Sequence, residues 1–374
     1  PFRAIVVLLL MLMPLLRFVL RAKDSQINTL KNQFPDYLCR VIFITGATGL
    51  VGSHLAYFLL SRGEKLRALK RESSDTSILE NHFKHYGGDN QLLKNIEWVD
   101  GDLFDVIELE KLVNGCDEVY HAAAYVSFDP AEKSKLYKVN IEGTANLVNI
   151  ALDVGVKKFG YVSSTAAIGS DRNGDKTDEN IKWKEDKHTS YYAISKHYGE
   201  REIWRGSQEG LNVAMVNPCI VVGPGNWQSS SAAMFSQVWD GLKFYTKGSN
   251  AFVDVKDVAQ ALIEVMDKEL FGNRYLVVGE NMKYRDYFNL IADALDKKRP
   301  SVLATKTMSS IAWRLEKLRS FFTGKKPLIT RETAQSANSH VQYSNEKIKN
   351  ELGFEFNSIE KAVKETAERF LEEN

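Results

Sequence analysis

Tyr192 and Lys196, in the run Tyr-Ala-Ile-Ser-Lys, place a phenol and an ammonium one helical turn apart. Residues four apart share a helix face. A neighbouring cation favours phenolate, so Tyr192 is suited to exchange a proton with a substrate oxygen near neutral pH. The spacing alone is weak, because Tyr343 and Lys347 repeat it. Context separates the two pairs. Upstream of Tyr192 an apolar run ends in Ser163-Ser164-Thr165, which offers hydroxyls at the carboxyl edge of a sheet, where ligands bind in open α/β folds. Tyr343 lies beyond the sheet pattern and is read as a surface residue. Tyr191, on the other side of the same helix, is read as packing.

A second constellation binds anions. Thr45-Gly46-Ala47-Thr48-Gly49-Leu50-Val51-Gly52 follows an apolar run directly and opens a helical pattern. A phosphate needs backbone N–H groups and the positive end of a helix, and close approach needs residues without a Cβ. Gly46, Thr48, Gly49, Leu50, Val51 and Gly52 are therefore the expected cradle of a dinucleotide. The end of the next strand selects the cofactor: an acid there binds a ribose 2′-hydroxyl, whereas a basic residue accommodates a 2′-phosphate. Here it reads Leu69-Lys70-Arg71-Glu72. Lys70 and Arg71 favour NADP(H), and Glu72 keeps NAD(H) as the alternative.

These groups need a scaffold, and the hydrophobic pattern supplies one. Short apolar runs at residues 41–44, 66–69, 96–99, 118–121, 159–163 and 213–216 alternate with helical stretches such as 134–154. Continuous apolar strands are those buried on both faces, and the alternation predicts a doubly wound parallel α/β sheet, a Rossmann fold, over residues 40–220. Segments near 251–280 are expected to return to it. Residues 221–374 are expected to form mainly a smaller mixed α/β substrate lobe, entered through a Pro/Gly/Ser-rich stretch at 222–231.

Composition agrees. The chain has 374 residues, 44% apolar and 26% charged, with a formal net charge of +1. That is ordinary for a globular enzyme, and such a balance offers no field to attract nucleic acid. Cys39, Cys116 and Cys219 lie too far apart for a thiolate metal site or a disulfide framework, so a reduced cytoplasmic setting is expected. His121, His188 and His197 lack metal-like spacing and are read as structural or surface residues, and no metal is expected. Residues 4–16 are wholly apolar apart from the break at Pro14, with Arg17 following and Arg3, Arg21 and Lys23 flanking. A spanning helix needs ~20 apolar residues. Residues 1–36 are read as an extension outside the fold, with membrane association through residues 4–20 as the alternative.

Taken together, the glycine turn, Gly101-Asp102-Leu103, His121-Ala-Ala-Ala124, Asn140, Val162-Ser-Ser-Thr165, Tyr192 to Lys196, Asn217-Pro218 and Val253 to Val258 resemble the extended short-chain dehydrogenase/reductases, the NAD-dependent epimerase/dehydratase superfamily. The resemblance runs from about residue 40 to the C-terminus. Its dihydroflavonol reductase and 3β-hydroxysteroid dehydrogenase branch is the most similar, through the basic strand end, the segment 217–225 and Glu351-Leu-Gly-Phe354. The resemblance implies that Thr165 polarises the substrate carbonyl, with Ser164 as the fallback. It also implies that Tyr192 is the general acid in reduction, Lys196 lowers its pKa and holds the nicotinamide ribose, and Asn140 organises a proton-relay water or serves as a structural hydrogen-bonder. Asp102 and Leu103 would contact adenine, Ala122, Ala123 and Ala124 would line the cofactor, and Pro218 to Ile220 would sit against the nicotinamide. A homodimer is the family default.

The expected activity is hydride transfer between nicotinamide and an aldehyde, ketone or secondary alcohol of a hydrophobic small molecule; the alternative is a nucleotide-sugar epimerase with tightly bound NAD. The Ala166-Ala167 that follows Thr165 departs from the Asp-Glu of the family's sugar dehydratases. Trp227, Met234, Phe235, Trp239 and Phe244 are candidates for an apolar pocket wall or for core. Residues 311–322 repeat apolar side chains at helical spacing between cations, followed by Lys325 and Lys326. That helix is expected to turn its apolar face to the core, with a membrane surface as the alternative.

Overall fold

The computed structural model describes residues 40–169, 176–186, 189–323, 327 and 329–374. The N-terminal apolar run and His188 lie outside the described residues. Seven strands, β1 (Val41–Thr45), β2 (Lys65–Lys70), β3 (Ile96–Asp100), β4 (Glu118–His121), β5 (Lys158–Val162), β6 (Val213–Pro218) and β10 (Asn273–Val277), form one sheet in the order β3-β2-β1-β4-β5-β6-β10. All its pairings are parallel. This is the doubly wound order, and its direction reverses between β1 and β4, which opens a crevice at their carboxyl ends.

The helices linking these strands are α1 (Leu50–Ser61), α2 (Ser77–Tyr86), α3 (Val106–Val113), α4 (Lys133–Tyr137), α5 (Gly143–Asp153), α6 (Tyr191–Gln208) and, further on, α7 (Ala233–Trp239) and α8 (Val255–Asp267). Side chains alternate across a strand, and the core divides accordingly. Ile42 and Ile44 of β1, with Ala214 and Val216 of β6, pack under α1 and α8. Phe43, Val213 and Met215 pack with Leu109 of α3, Leu147 and Val148 of α5 and Ile203 of α6. Both faces are covered, which is why the strands read as unbroken apolar runs.

The remaining strands lie outside the main sheet. Strand β9 (Ser249–Asp254) pairs with β7 (Ile220–Val222) and antiparallel with β11 (Glu280–Lys283), while β8 (Phe244–Tyr245) pairs with β12 (Val302–Leu303). Of the segment 251–280, only β10 therefore joins the main sheet. The other helices are α9 (Tyr284–Ala294), α10 (Lys306–Thr323), α11 (Arg331–Ser336), α12 (Glu346–Leu352) and α13 (Ile359–Glu373). Trp227, Phe235, Tyr287, Ile291 and Phe370 form a third core cluster, with Trp239 against it. Two of the five candidate pocket aromatics and apolars, Met234 and Phe244, reach the cleft instead.

The structure corrects one expectation of packing. Helix α10 does not bury its apolar stripe: Ile311, Leu315, Leu318 and Phe322 are 54%, 61%, 54% and 76% exposed. Ser309, Ser310, Ala312, Trp313 and Ser320 take the more buried side. Among the described residues no helix is long and apolar enough to cross a membrane.

Candidate active site

A cleft of about 2330 Å³ opens at the carboxyl ends of the strands. That exceeds the ~300–1,000 Å³ of a site for one small ligand and leaves room for a dinucleotide and a second molecule. Every residue expected to hold the cofactor lines it: Gly46, Thr48, Gly49, Leu50, Val51, Gly52, Lys70, Arg71, Asp102, Leu103, Ala122, Ala123, Ala124, Tyr192, Lys196, Pro218 and Ile220. Ser74, which no motif singled out, lines it as well.

The phosphate end is built by glycines. Gly46 has φ +75°, and a Cβ there would fall 2.6 Å from the Ala123 nitrogen; a Cβ on Gly52 would fall 2.0 Å from the Gly46 carbonyl oxygen. Only bare backbone lets this turn close against the segment after β4. Helix α1 starts at Gly49 without a side-chain cap or an acid in its first turn, so its leading N–H groups remain suited to an anion. The residues present thus fit a dinucleotide pyrophosphate. Behind the turn, neutral His121 is paired with Thr45 at 2.7 Å and Thr144 at 3.0 Å, and burial pulls its pKa down to about 3. It is a structural residue, as is His197, which stacks on Trp183 at 4.2 Å.

The basic strand end divides into unlike halves. Lys70 is engaged by the Asp100 carboxylate on the adjacent strand. Arg71 is exposed at the cleft, with its backbone N–H donating 3.2 Å to Ser74 Oγ.

At the reacting end, α6 begins after Ser190, whose hydroxyl accepts the Ala193 N–H at 3.0 Å. This cap places Tyr192 in the first turn, half-buried, and Lys196 one turn deeper, almost wholly buried. The Tyr192 phenol lies by the Ser164 hydroxyl; burial raises its pKa and the nearby hydroxyl opposes the rise. Tyr192 is therefore held as the protonated acid. Ser164 Oγ also accepts the Ala166 N–H at 3.1 Å, capping the short turn Thr165–Ala167. Thr165 is buried, lines the same cleft, and lies by the phenol of Tyr343.

Tyr343 is accordingly not a surface residue. It is 8% exposed and lines the same cleft; its N–H donates to Asn281 Oδ1 at 2.8 Å and its carbonyl accepts from Asn281 Nδ2 at 2.9 Å. Sequence spacing had no means of finding this, because the contact joins segments 62 residues apart. Tyr191 does pack, edge-on to Tyr137.

Lys196 Nζ donates to the Tyr161 hydroxyl at 3.1 Å and the Val162 carbonyl at 2.9 Å, and burial lowers its pKa to about 7. Glu200, one turn further along α6, counteracts that fall. Its carboxylate accepts from Ser163 Oγ at 2.8 Å, Asn217 Nδ2 at 2.8 Å, Arg274 at 2.8 Å and Trp204 at 3.3 Å. Asn217 also donates to the Ser164 carbonyl at 3.0 Å. One buried carboxylate thus ties α6 to the ends of β5 and β6 and to β10, a role no local motif announces.

Asn140 lies in a π-helical turn, Lys138–Glu142. Its Nδ2 donates to the Tyr125 carbonyl and Ser195 Oγ, both at 2.9 Å, and its Oδ1 accepts the Tyr125 N–H at 2.7 Å. Both amide hydrogens are used, so the side chain fixes the cleft wall against α6.

A profile of the NAD dependent epimerase/dehydratase family matches residues 42–279. The chain belongs to this family. It is 28% identical to sterol demethylase protein B of Methylococcus capsulatus over 314 residues, covering 83% of this chain and 92% of that protein. It is likewise 28% identical over 340 residues to a putative dihydroflavonol 4-reductase of Synechocystis, covering 88% and 94%. Among solved structures it is similar to gox2253, with a TM-score of 0.74, 29% identity, and coverage of 89% and 98%. As a member of the extended short-chain dehydrogenase/reductases, it is an NAD(P)-dependent oxidoreductase with a nicotinamide cofactor and a small-molecule substrate.

Proposed function

We propose that this enzyme is an NADP(H)-dependent reductase or dehydrogenase acting on the carbonyl or secondary alcohol of a hydrophobic small molecule. The observation that carries this is the placement of Tyr192 beside Ser164 and one turn from buried Lys196, in a cleft with an apolar outer wall. Phe128 packs edge-on to Tyr192 at 5.6 Å, and Val126, Met234, Phe288 and Met308 line the space beyond. The names of the two relatives, which mention a sterol and a dihydroflavonol, support an apolar substrate.

When bound, the nicotinamide supplies or accepts the hydride at the substrate carbon. The chain's own residues handle the oxygen. Ser164 Oγ accepts the Ala166 N–H, so its hydroxyl proton can be directed at the substrate oxygen, and Ser164 and Thr165, which line the same cleft, are the two candidates for the carbonyl donor. Tyr192 then gives its proton to that oxygen in reduction and takes it back in oxidation. Lys196 holds the nicotinamide ribose, Arg71 and Ser74 receive a 2′-phosphate, and Asn140 is a positioning residue.

The test follows the near-ultraviolet absorbance of reduced nicotinamide with NADPH or NADH and a panel of aromatic, aliphatic and steroid-like carbonyls. Turnover that prefers NADPH and falls roughly 10²–10⁴-fold in Tyr192→Phe, with cofactor binding intact, is expected. A cofactor retained through purification with no turnover of any carbonyl would replace this reading with internal-redox epimerase chemistry on nucleotide sugars.

A further inference from the structure

Helix α10 is amphipathic in the wrong sense for a monomer in water. Met308, Ile311, Leu315, Leu318 and Phe322 follow one another at alternating steps of three and four, so they form one continuous stripe, and every one of them is exposed. The opposite side carries Ser309, Ser310, Ala312, Trp313 and Ser320, and it is this mostly small side that is partly buried. Five large apolar side chains on a single helix make a patch that demands an occupant.

The charges on the helix decide among occupants. Lys306, Arg314 and Lys317 are exposed with the stripe, while Glu316, the helix's single acid, is occupied by Arg319 at 2.8 Å. A second copy packed stripe to stripe would set these cations against their own images. The apolar run at residues 4–16 is no better matched, since the first 23 residues contain Arg3, Arg17, Arg21 and Lys23 and no acid. An anionic lipid surface satisfies both features: it takes apolar side chains into its acyl boundary and cations at its headgroups.

We propose that α10 is an interfacial helix that docks this enzyme on anionic membranes. The helix is also a wall of the cleft, through Met308, Ser309 and Ala312, and Met308 belongs to both the wall and the stripe. Docking therefore brings the mouth of the substrate site to the lipid. Resting on the reductase reading above, this assigns the substrate to amphiphilic carbonyls or alcohols that partition into membranes. The docking itself stands independently of that reading.

The experiment uses the full chain carrying Cys39→Ser and Phe322→Cys, labelled at residue 322 with an environment-sensitive fluorophore, and a control labelled through Glu110→Cys on α3. Vesicles of phosphatidylcholine alone are compared with vesicles containing phosphatidylglycerol. Expected is a blue shift at residue 322 with the anionic vesicles, reversed by salt and quenched by spin-labelled lipid, with none at residue 110. Leu315→Glu/Leu318→Glu should abolish the shift while thermal melting and NADPH binding stay unchanged. Three results would overturn the proposal. The chain could pellet with vesicles without any shift at residue 322, which would put membrane contact elsewhere. A shift that needs no lipid and follows a doubling of mass would make the occupant a second copy. Absence of any vesicle binding would leave the stripe without a lipid role. None of these readouts depends on turnover, so failure of the reductase assay leaves them interpretable.

Discussion

Ser164 and Thr165 are adjacent in the chain and lie by different phenols: Ser164 by Tyr192, and Thr165 by Tyr343. The extended backbone at Ser164 (φ −162°, ψ 152°) turns into a short 3₁₀ segment at Thr165, and that change separates the two hydroxyls. If Ser164 is the carbonyl donor, Ser164→Ala should lower kcat by roughly 10²–10³. Thr165→Val removes a buried hydroxyl beside the Tyr343 phenol and should cost about 1 kcal/mol of stability, with kcat within a fewfold of the parent if Ser164 is the donor. Steady-state kinetics beside thermal melts separate the two; the opposite ranking would return the carbonyl-polarising role to Thr165.

Cofactor choice should rest on Arg71 more than on Lys70. Lys70 is already neutralised by Asp100, whereas Arg71 is exposed at the cleft beside Ser74. A charge-assisted hydrogen bond to phosphate contributes about 1.5–3 kcal/mol, so Arg71→Ala should weaken NADPH roughly 10- to 100-fold and leave NADH nearly unchanged. Lys70→Ala should do less. Fluorescence titrations with both cofactors check this, and equal losses for the two would contradict it.

Glu200→Gln keeps the shape of the buried hub and removes its charge. The loss should destabilise the fold by roughly 1–3 kcal/mol, because Arg274 and Asn217 lose a charged acceptor. A structural role alone would end there. Glu200 also raises the pKa of Lys196, which lies at about 7. The limb of the pH–rate profile due to Lys196 should therefore move to lower pH in the variant, and an unmoved limb would confine Glu200 to packing.

Acid should unfold the protein through buried neutral histidines. His54 is held by the Leu50 carbonyl at 2.8 Å and the Tyr86 hydroxyl at 3.0 Å, and burial lowers its pKa from 6.5 to about 4. Between those values the unfolded chain takes up a proton that the folded chain refuses, so stability falls as pH drops from 6.5 towards 4. The contribution reaches about 3 kcal/mol at the lower end. His54→Gln should flatten the fall in Tm over this window; an unchanged slope would assign the acid sensitivity to His121 and the other buried groups.

The sequence by itself determined the sheet, the glycine cradle and the register of Tyr192 with Lys196. Each is written locally: strands buried on both faces read as apolar runs, a close phosphate turn requires residues without Cβ, and a helical turn spans four residues. Family resemblance then extended the reading to Asp102, Ala122 to Ala124 and Pro218 to Ile220, all of which line the cleft. Tertiary structure decided what local pattern does not encode. Whether Ser164 or Thr165 meets Tyr192 depends on a backbone bend, and the burial of Tyr343 depends on a segment returning from the far end of the chain. The gathering of Ser163, Asn217 and Arg274 on Glu200 joins three strand ends that are neighbours only in the folded sheet. Periodicity likewise fixed that α10 is amphipathic, but not which side would face water. A helical repeat specifies an apolar face, and only packing against the rest of the molecule determines what covers it.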